Sequence, residues 1–203
     1  YFTNVQTTGN NIVEWDIYLR STGPTALELA QIQLGMGFNV AILDGGTATA
    51  SVVGGTSELP PAMQPTAPNI GAASFTVAPV PAGQTHRYFN VAGRPVPGAG
   101  LGPIISTTDG GCSAKGTRIA RFRLTNSKPF LANSQMSQVF SQAVGSGRTR
   151  TAVFAYVAGV NTDITLTQSQ IPNHFSFNVA GTCDQNILLN PVATCAVTGS
   201  ATT

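Results

Sequence analysis

Glu14 and Asp16 are the two carboxylates closest together in the chain, and an extended backbone sets both on one face. Same-face neighbours on a strand lie about 6–7 Å apart, near the separation a paired-carboxylate hydrolase uses. Arg121 and Arg123 repeat that two-residue spacing a hundred positions later. The preferred reading is therefore a strand face whose acids are balanced by arginines on a neighbouring strand, at about 0.2–1 kcal/mol per pair. His86 and His174 are the only groups suited to acid–base work near neutral pH. Each falls in an alternating segment without a motif partner, which predicts a surface or edge histidine rather than a catalyst.

The remaining motifs carry no chemistry either. Gly145-Ser146-Gly147 lacks the glycine spacing and strand–turn–helix setting of a nucleophile elbow. Gly98-Ala99-Gly100-Leu101-Gly102 follows prolines rather than a strand, so it reads as a loop and not a dinucleotide site. The acidic residues are scattered with no calcium-binding loop, and no Cys or His pair stands at metal-ligand spacing. No catalytic residue, metal site or cofactor is expected. Cys183 and Cys195 could close a short loop, worth roughly 3 kcal/mol in the chain-entropy model. Cys112 is the third cysteine, and three cysteines allow three single pairings.

These residues need strands to hold them. In Asn11-Ile12-Val13-Glu14-Trp15-Asp16-Ile17-Tyr18-Leu19-Arg20, Val13, Trp15, Ile17 and Leu19 share one side. Glu14, Asp16, Tyr18 and Arg20 share the other, the pattern of a strand with one buried and one wetted face. Residues 116–126 repeat it, with Ala120, Phe122 and Leu124 opposite Arg121, Arg123 and Thr125. The two strands are predicted to be neighbours in one sheet. Residues 1–5 read as a short first strand. Leu27 and Leu29 alternate, and a phase slip before Ile32, Leu34, Met36 and Phe38 predicts a β-bulge near Ala30-Gln31.

Ile42-Leu43 leading into Asp44-Gly45-Gly46 is a hairpin signal, followed by a strand over 47–53. Prolines crowd residues 54–103, an insertion interrupted by strands at 74–78 and 86–92. Residues 131–143 suit an irregular strand or a short helix. Residues 151–158, apolar on both faces, suit a central strand. A turn at 159–163 then precedes a strand at 164–167, and Phe175, Phe177 and Val179 mark a last one. About ten short strands without a convincing helix predict an antiparallel β-sandwich, one domain over 1–203, ending in a cysteine-containing segment at 181–203.

Composition narrows the setting. A charged fraction of 9% is far below the usual 25% or so, and Thr, Ser, Asn, Gly and Ala fill the surface positions. The net charge of +2 gives no footprint for nucleic acid, and no apolar run is long enough for a membrane-spanning helix. A chain opening on Tyr1 rather than Met reads as the mature part of an exported protein.

The ordered motifs Glu14-Trp15-Asp16-Ile17-Tyr18-Leu19, Gln33-Leu34-Gly35-Met36-Gly37-Phe38-Asn39 and Ile42-Leu43-Asp44-Gly45-Gly46-Thr47 form a recognisable series. Gly55-Thr56-Ser57-Glu58-Leu59, Pro97-Gly98-Ala99-Gly100, Ile104-Ile105-Ser106-Thr107, residues 118–126 and 153–157 continue it. Together they resemble the cohesin-like β-sandwich modules of cell-surface proteins that Bacteroidetes export by the type IX secretion system. The resemblance implies export, a jelly-roll sandwich and a non-catalytic surface role, and it transfers no catalytic residue. Such proteins usually end in a sorting domain, for which the residues after Cys195 are too few; either it is removed on export or this chain departs from the pattern.

Two roles follow as expectations. One is a self-assembling subunit of a surface filament or adhesive layer, with the apolar start Tyr1, Phe2 and Val5 adding to a neighbouring copy. The same residues could instead pair with their own sheet. The other is a module that binds a glycan or protein, for which Tyr18, Tyr88 and Tyr156 are candidate platform residues.

Overall fold

The computed structural model describes residues 2–21, 23–76, 83–93, 95–96, 98–107, 116–141, 149–165 and 188–189. Strand alternation dominates the chain. β1 (Phe2–Gly9), β2 (Ile12–Leu19), β4 (Ala48–Val53) and β8 (Thr117–Asn126) form a four-stranded sheet in the order β1-β2-β8-β4. β3 (Leu27–Asn39), β5 (Asn69–Thr76), β6 (Thr85–Val91), β11 (Ala152–Val157) and β12 (Val160–Asp163) run β12-β11-β3-β6-β5 in the second sheet. Two shorter strands, β7 (Ile104–Ile105) and β10 (Gln138–Phe140), also pair with β3. β9 (Ser134–Gln135) pairs separately with β13 (Leu188–Leu189). Every strand pair is antiparallel, and the molecule is an all-β sandwich, as the periodicity predicts.

The core lies between the two sheets. Trp15 of β2 meets Phe89 of β6 edge-on at 5.6 Å between ring centroids and lies 6.2 Å from Phe122 of β8. Phe89 lies 6.5 Å from Phe38 of β3, so aromatic contacts run from one sheet into the other. The Trp15 indole N–H finds no acceptor, so its ring holds this position by packing alone. The Ala30 bulge forms: Phe154 sits opposite Gln31 and Ala155 opposite Leu29, which leaves Ala30 as the extra residue.

Several sequence expectations change. Residues 40–46 do not close a hairpin. Val40–Leu43 forms a 3-10 turn, Asp44 takes φ 47°, and the chain crosses from β3 in one sheet to β4 in the other. Gly-rich turn chemistry specifies a local reversal, but not which sheet receives the next strand. The proline-rich span contributes β5 and β6, and β6 lies inside the second sheet between β3 and β5. That is possible because residues 85–91 themselves contain no proline. Residues 131–141 carry the short strands β9 and β10, the irregular-strand alternative of the two expected.

β11 is an inner strand between β3 and β12, as expected; Ala152 and Ala155, on opposite faces, are buried, Val153, Phe154 and Tyr156 only partly, and Val157 is exposed. The turn before β12 is only Ala158-Gly159, both at positive φ, which leaves 160–163 as strand. Tyr1, Cys112, His174, the Phe175–Phe177–Val179 pattern, Cys183 and Cys195 fall outside the described residues.

Replacing Trp15 by Ala removes the largest of the fully buried side chains. A loss of about 3–5 kcal/mol in urea unfolding is expected for this core truncation.

Candidate functional site

β2 and β8 align Glu14 opposite Arg123 and Asp16 opposite Arg121. Directly opposed residues share a face, so the four charges form one cluster on the outer side of the first sheet. Arg121 places Nε 2.9 Å from one Asp16 oxygen and Nη2 3.0 Å from the other. Its Nη1 also donates to Glu14 at 3.4 Å, and Arg123 donates to Glu14 through Nε at 2.7 Å. The hydrogen bond to Asp16 is the main reason that the Arg121 pKa rises above its ordinary value, despite burial.

This face is not wetted. Glu14 is 4% exposed and Asp16 only 1%, while Arg123 keeps 42% of its side chain in solvent. The burial has a local cause in β1. Thr3 pairs with Asp16 and Gln6 with Glu14, so Asn4 and Val5 together oppose the single residue Trp15. Asn4 adopts φ 53°, a conformation Asn tolerates better than most residues. There its amide donates 2.8 Å to Asp16. Sequence reasoning missed Asn4; the one signal was an Asn, a residue that tolerates positive φ, within the first strand. With both carboxylates engaged by guanidinium and amide donors, neither is positioned as a free acid or base.

The outer-face tyrosines do not make an exposed row. Tyr18 is 8% exposed, and burial raises its phenol pKa above the ordinary value. Tyr88 is also buried, with its ring over Gly71, where an added Cβ would lie 1.9 Å from the tyrosine Cζ. Tyr156 is half-buried, and its hydroxyl donates 2.9 Å to the Val96 carbonyl. Phe2 is buried against Phe140 at 4.1 Å, and β1 pairs with β2, so Phe2 and Val5 belong to their own sheet.

His86, expected at a surface or edge, is fully enclosed on β6. Phe75 stands over it at 5.8 Å. Its Nδ1 lies 3.2 Å from the Gln84 carbonyl, which requires the proton there. Nε2 then accepts from the Ser137 hydroxyl at 3.3 Å. Burial lowers the His86 pKa from its ordinary 6.5. Ser137 is itself fixed, because its N–H donates 2.7 Å to the Asn39 side chain.

The other described carboxylates are mostly tied to the fold. Glu28 accepts the Gly100 and Gly102 amides at 2.6 and 2.9 Å, and Glu58 accepts the Arg118 amide at 2.7 Å. Burial would raise Asp163, but hydrogen bonds from Arg150 and Thr165 outweigh it and hold its pKa below the ordinary value. Among the described residues no group of three or more His, Cys, Asp or Glu could hold a metal ion. No helix among them is long and apolar enough to cross a membrane. No protein-family model, curated protein or solved structure matches the chain.

Arg121→Met leaves the Asp16 carboxylate enclosed without its fork, and should destabilise the fold by about 3–5 kcal/mol. Asp16→Asn combined with Arg121→Met should recover part of that loss in a denaturant double-mutant cycle. His86 gives a pH signature. Its folded pKa lies below 6.5, so the unfolded chain takes up the proton first and stability falls as pH drops below about 6.5 toward the folded value. Thermal unfolding of His86→Gln against the native chain should show that the slope between pH 6.5 and more acidic values is reduced in the variant.

Proposed function

We propose that this chain is a non-enzymatic structural protein of an extracellular assembly, a cell-surface subunit that associates with copies of itself through strand addition. The supporting observation is the use of its carboxylates. Glu14, Asp16, Glu28, Glu58 and Asp163 are bonded to arginines or backbone amides that hold loops and strands in register. Acids used as struts suit a scaffold better than a catalyst, which needs a carboxylate free to exchange a proton with substrate. The low charge, the short hydroxyl-bearing surface side chains and the resemblance to exported cohesin-like modules point the same way.

Association takes a particular form in this reading. β1 is bonded to β2 and Phe2 is enclosed, so residues 2–9 are not a strand held out for a neighbour. Addition to an open sheet edge fits instead. The Cys183–Cys195 disulfide and the extracellular setting belong to the same proposal. Full-chain protein is expected to form concentration-dependent oligomers in sedimentation velocity and ordered assemblies by electron microscopy. A strictly monomeric chain, or glycan hydrolysis that Glu14→Gln abolishes, would refute it.

A further inference from the structure

Strand addition requires an edge with unpaired backbone groups and no device to repel a partner. Among the described residues the two main sheets end in β1, β4, β5 and β12. β1 is broken by register shifts between Thr3 and Gln6 and between Thr7 and Gly9, with Asn4 at positive φ. β5 is broken between Ile70 and Ser74 and follows Pro68. β12 is only four residues long and ends at Asp163, which is ion-paired to Arg150. β4 has none of these features. Its six residues pair with β8 in unbroken register, and residues 45–57 contain neither charge nor proline.

The direction of its backbone groups follows from the ladder. Ser127 donates its N–H to the Thr47 carbonyl, which marks residue 47 as bonded toward β8. Antiparallel ladders alternate, so Thr49, Ser51 and Val53 also bond toward β8. Ala48, Ala50 and Val52 then direct their N–H and C=O groups away from it. β5 lies beside β4 without pairing to it.

The sequence around this edge is a chemical palindrome. In Gly45-Gly46-Thr47-Ala48-Thr49-Ala50-Ser51-Val52-Val53-Gly54-Gly55, glycines bracket both ends and residues 48–52 are symmetric in side-chain type about Ala50, with Thr47 and Val53 the one unlike pair. Two copies laid antiparallel on Ala50 set Thr49 against Ser51, Ala48 against Val52, and Thr47 against Val53. On the outer face the central Thr49–Ser51 pairs set hydroxyl against hydroxyl and the flanking pairs set Thr47 against Val53, while small apolar side chains meet on the inner face. Gly46 meets Gly54, so no side chain obstructs the crossing ends. In that register the outward amides of Ala48, Ala50 and Val52 all face carbonyls of the partner.

We infer that the free edge of β4 is a self-complementary docking strand, where a second copy of this chain pairs antiparallel about Ala50 and joins two four-stranded sheets into one. The inference rests on the self-association proposed above and names its edge and register. A concentration series by sedimentation equilibrium, with amide hydrogen exchange on the unmodified chain, tests it. Association is expected to protect the amides of Ala48, Ala50 and Val52. Ser51→Lys, which adds a charge to each copy beside the two-fold, should weaken association by about tenfold or more.

Ala50→Pro removes an outward N–H but no bond to β8, and should act likewise. Asn161→Lys on the β12 edge should leave association unchanged. A native chain that stays monomeric to roughly millimolar concentration overturns both this inference and the broader self-association. Self-association without protection at Ala48, Ala50 and Val52, or undiminished in both β4 variants, overturns the β4 edge alone.

Discussion

The Arg121 guanidinium, gripping Asp16 with two nitrogens and reaching Glu14 with the third, is the contact on which the first sheet depends. A carboxylate as enclosed as Asp16 is tolerated only where donors satisfy its oxygens. That requirement propagates outward. β8 must lie beside β2 in the observed register, because a one-residue slip would turn Arg121 into the core and Phe122 out of it. β1 must bulge, because Asn4 reaches Asp16 only from its left-handed conformation in the interrupted ladder. The same alignment holds Trp15 and Phe122 on the inner face, where they meet Phe89 of the other sheet. One buried ion pair thus couples strand order, register and the orientation of the core.

Much of this is written in period-two patterns. Alternation over Val13–Leu19 and Ala120–Thr125 identifies both strands, and the matched spacing of acids and arginines identifies them as neighbours. Both inferences rely only on local geometry, in which side chains alternate strictly between faces. Burial of the acidic face is not local in this sense. It depends on an Asn4 conformation that no apolar count reveals, so surface-level pair energies understate what holds these strands. The enclosure of His86 is not legible in the sequence for a related reason. Its polar partners, Gln84 and Ser137, are a backbone carbonyl and a residue distant in the chain. Phe75 reaches it only because β5 returns beside β6.

Connections between sheets were harder to read than strands within them. Asp44-Gly45-Gly46 carries the residues of a tight turn, and the turn exists, closed by the Gly46 amide on the Leu43 carbonyl at 2.8 Å. Its partner strand differs from the expected one. Asn126 contributes to the new arrangement by donating its side-chain amide 2.8 Å to the same Leu43 carbonyl. That acceptor anchors the crossover against the end of β8, which explains why β4 adds beside β8 rather than folding back on β3.

The treatment of charge also bears on how the molecule meets others. A chain with 9% charged residues has few to distribute, and this fold commits several of them to internal pairs. Charged gatekeepers are therefore scarce at the strand edges, and bulges, proline and short length take their place on β1, β5 and β12. Edge protection by backbone irregularity is specific to each strand, unlike a general increase in surface charge. Among the edges formed by the described residues, β4 alone is regular and uncharged, which is why the proposed association is placed there. The ion pairs that settle the interior register thus bear on the proposed association: they withdraw from the surface charges that would discourage it.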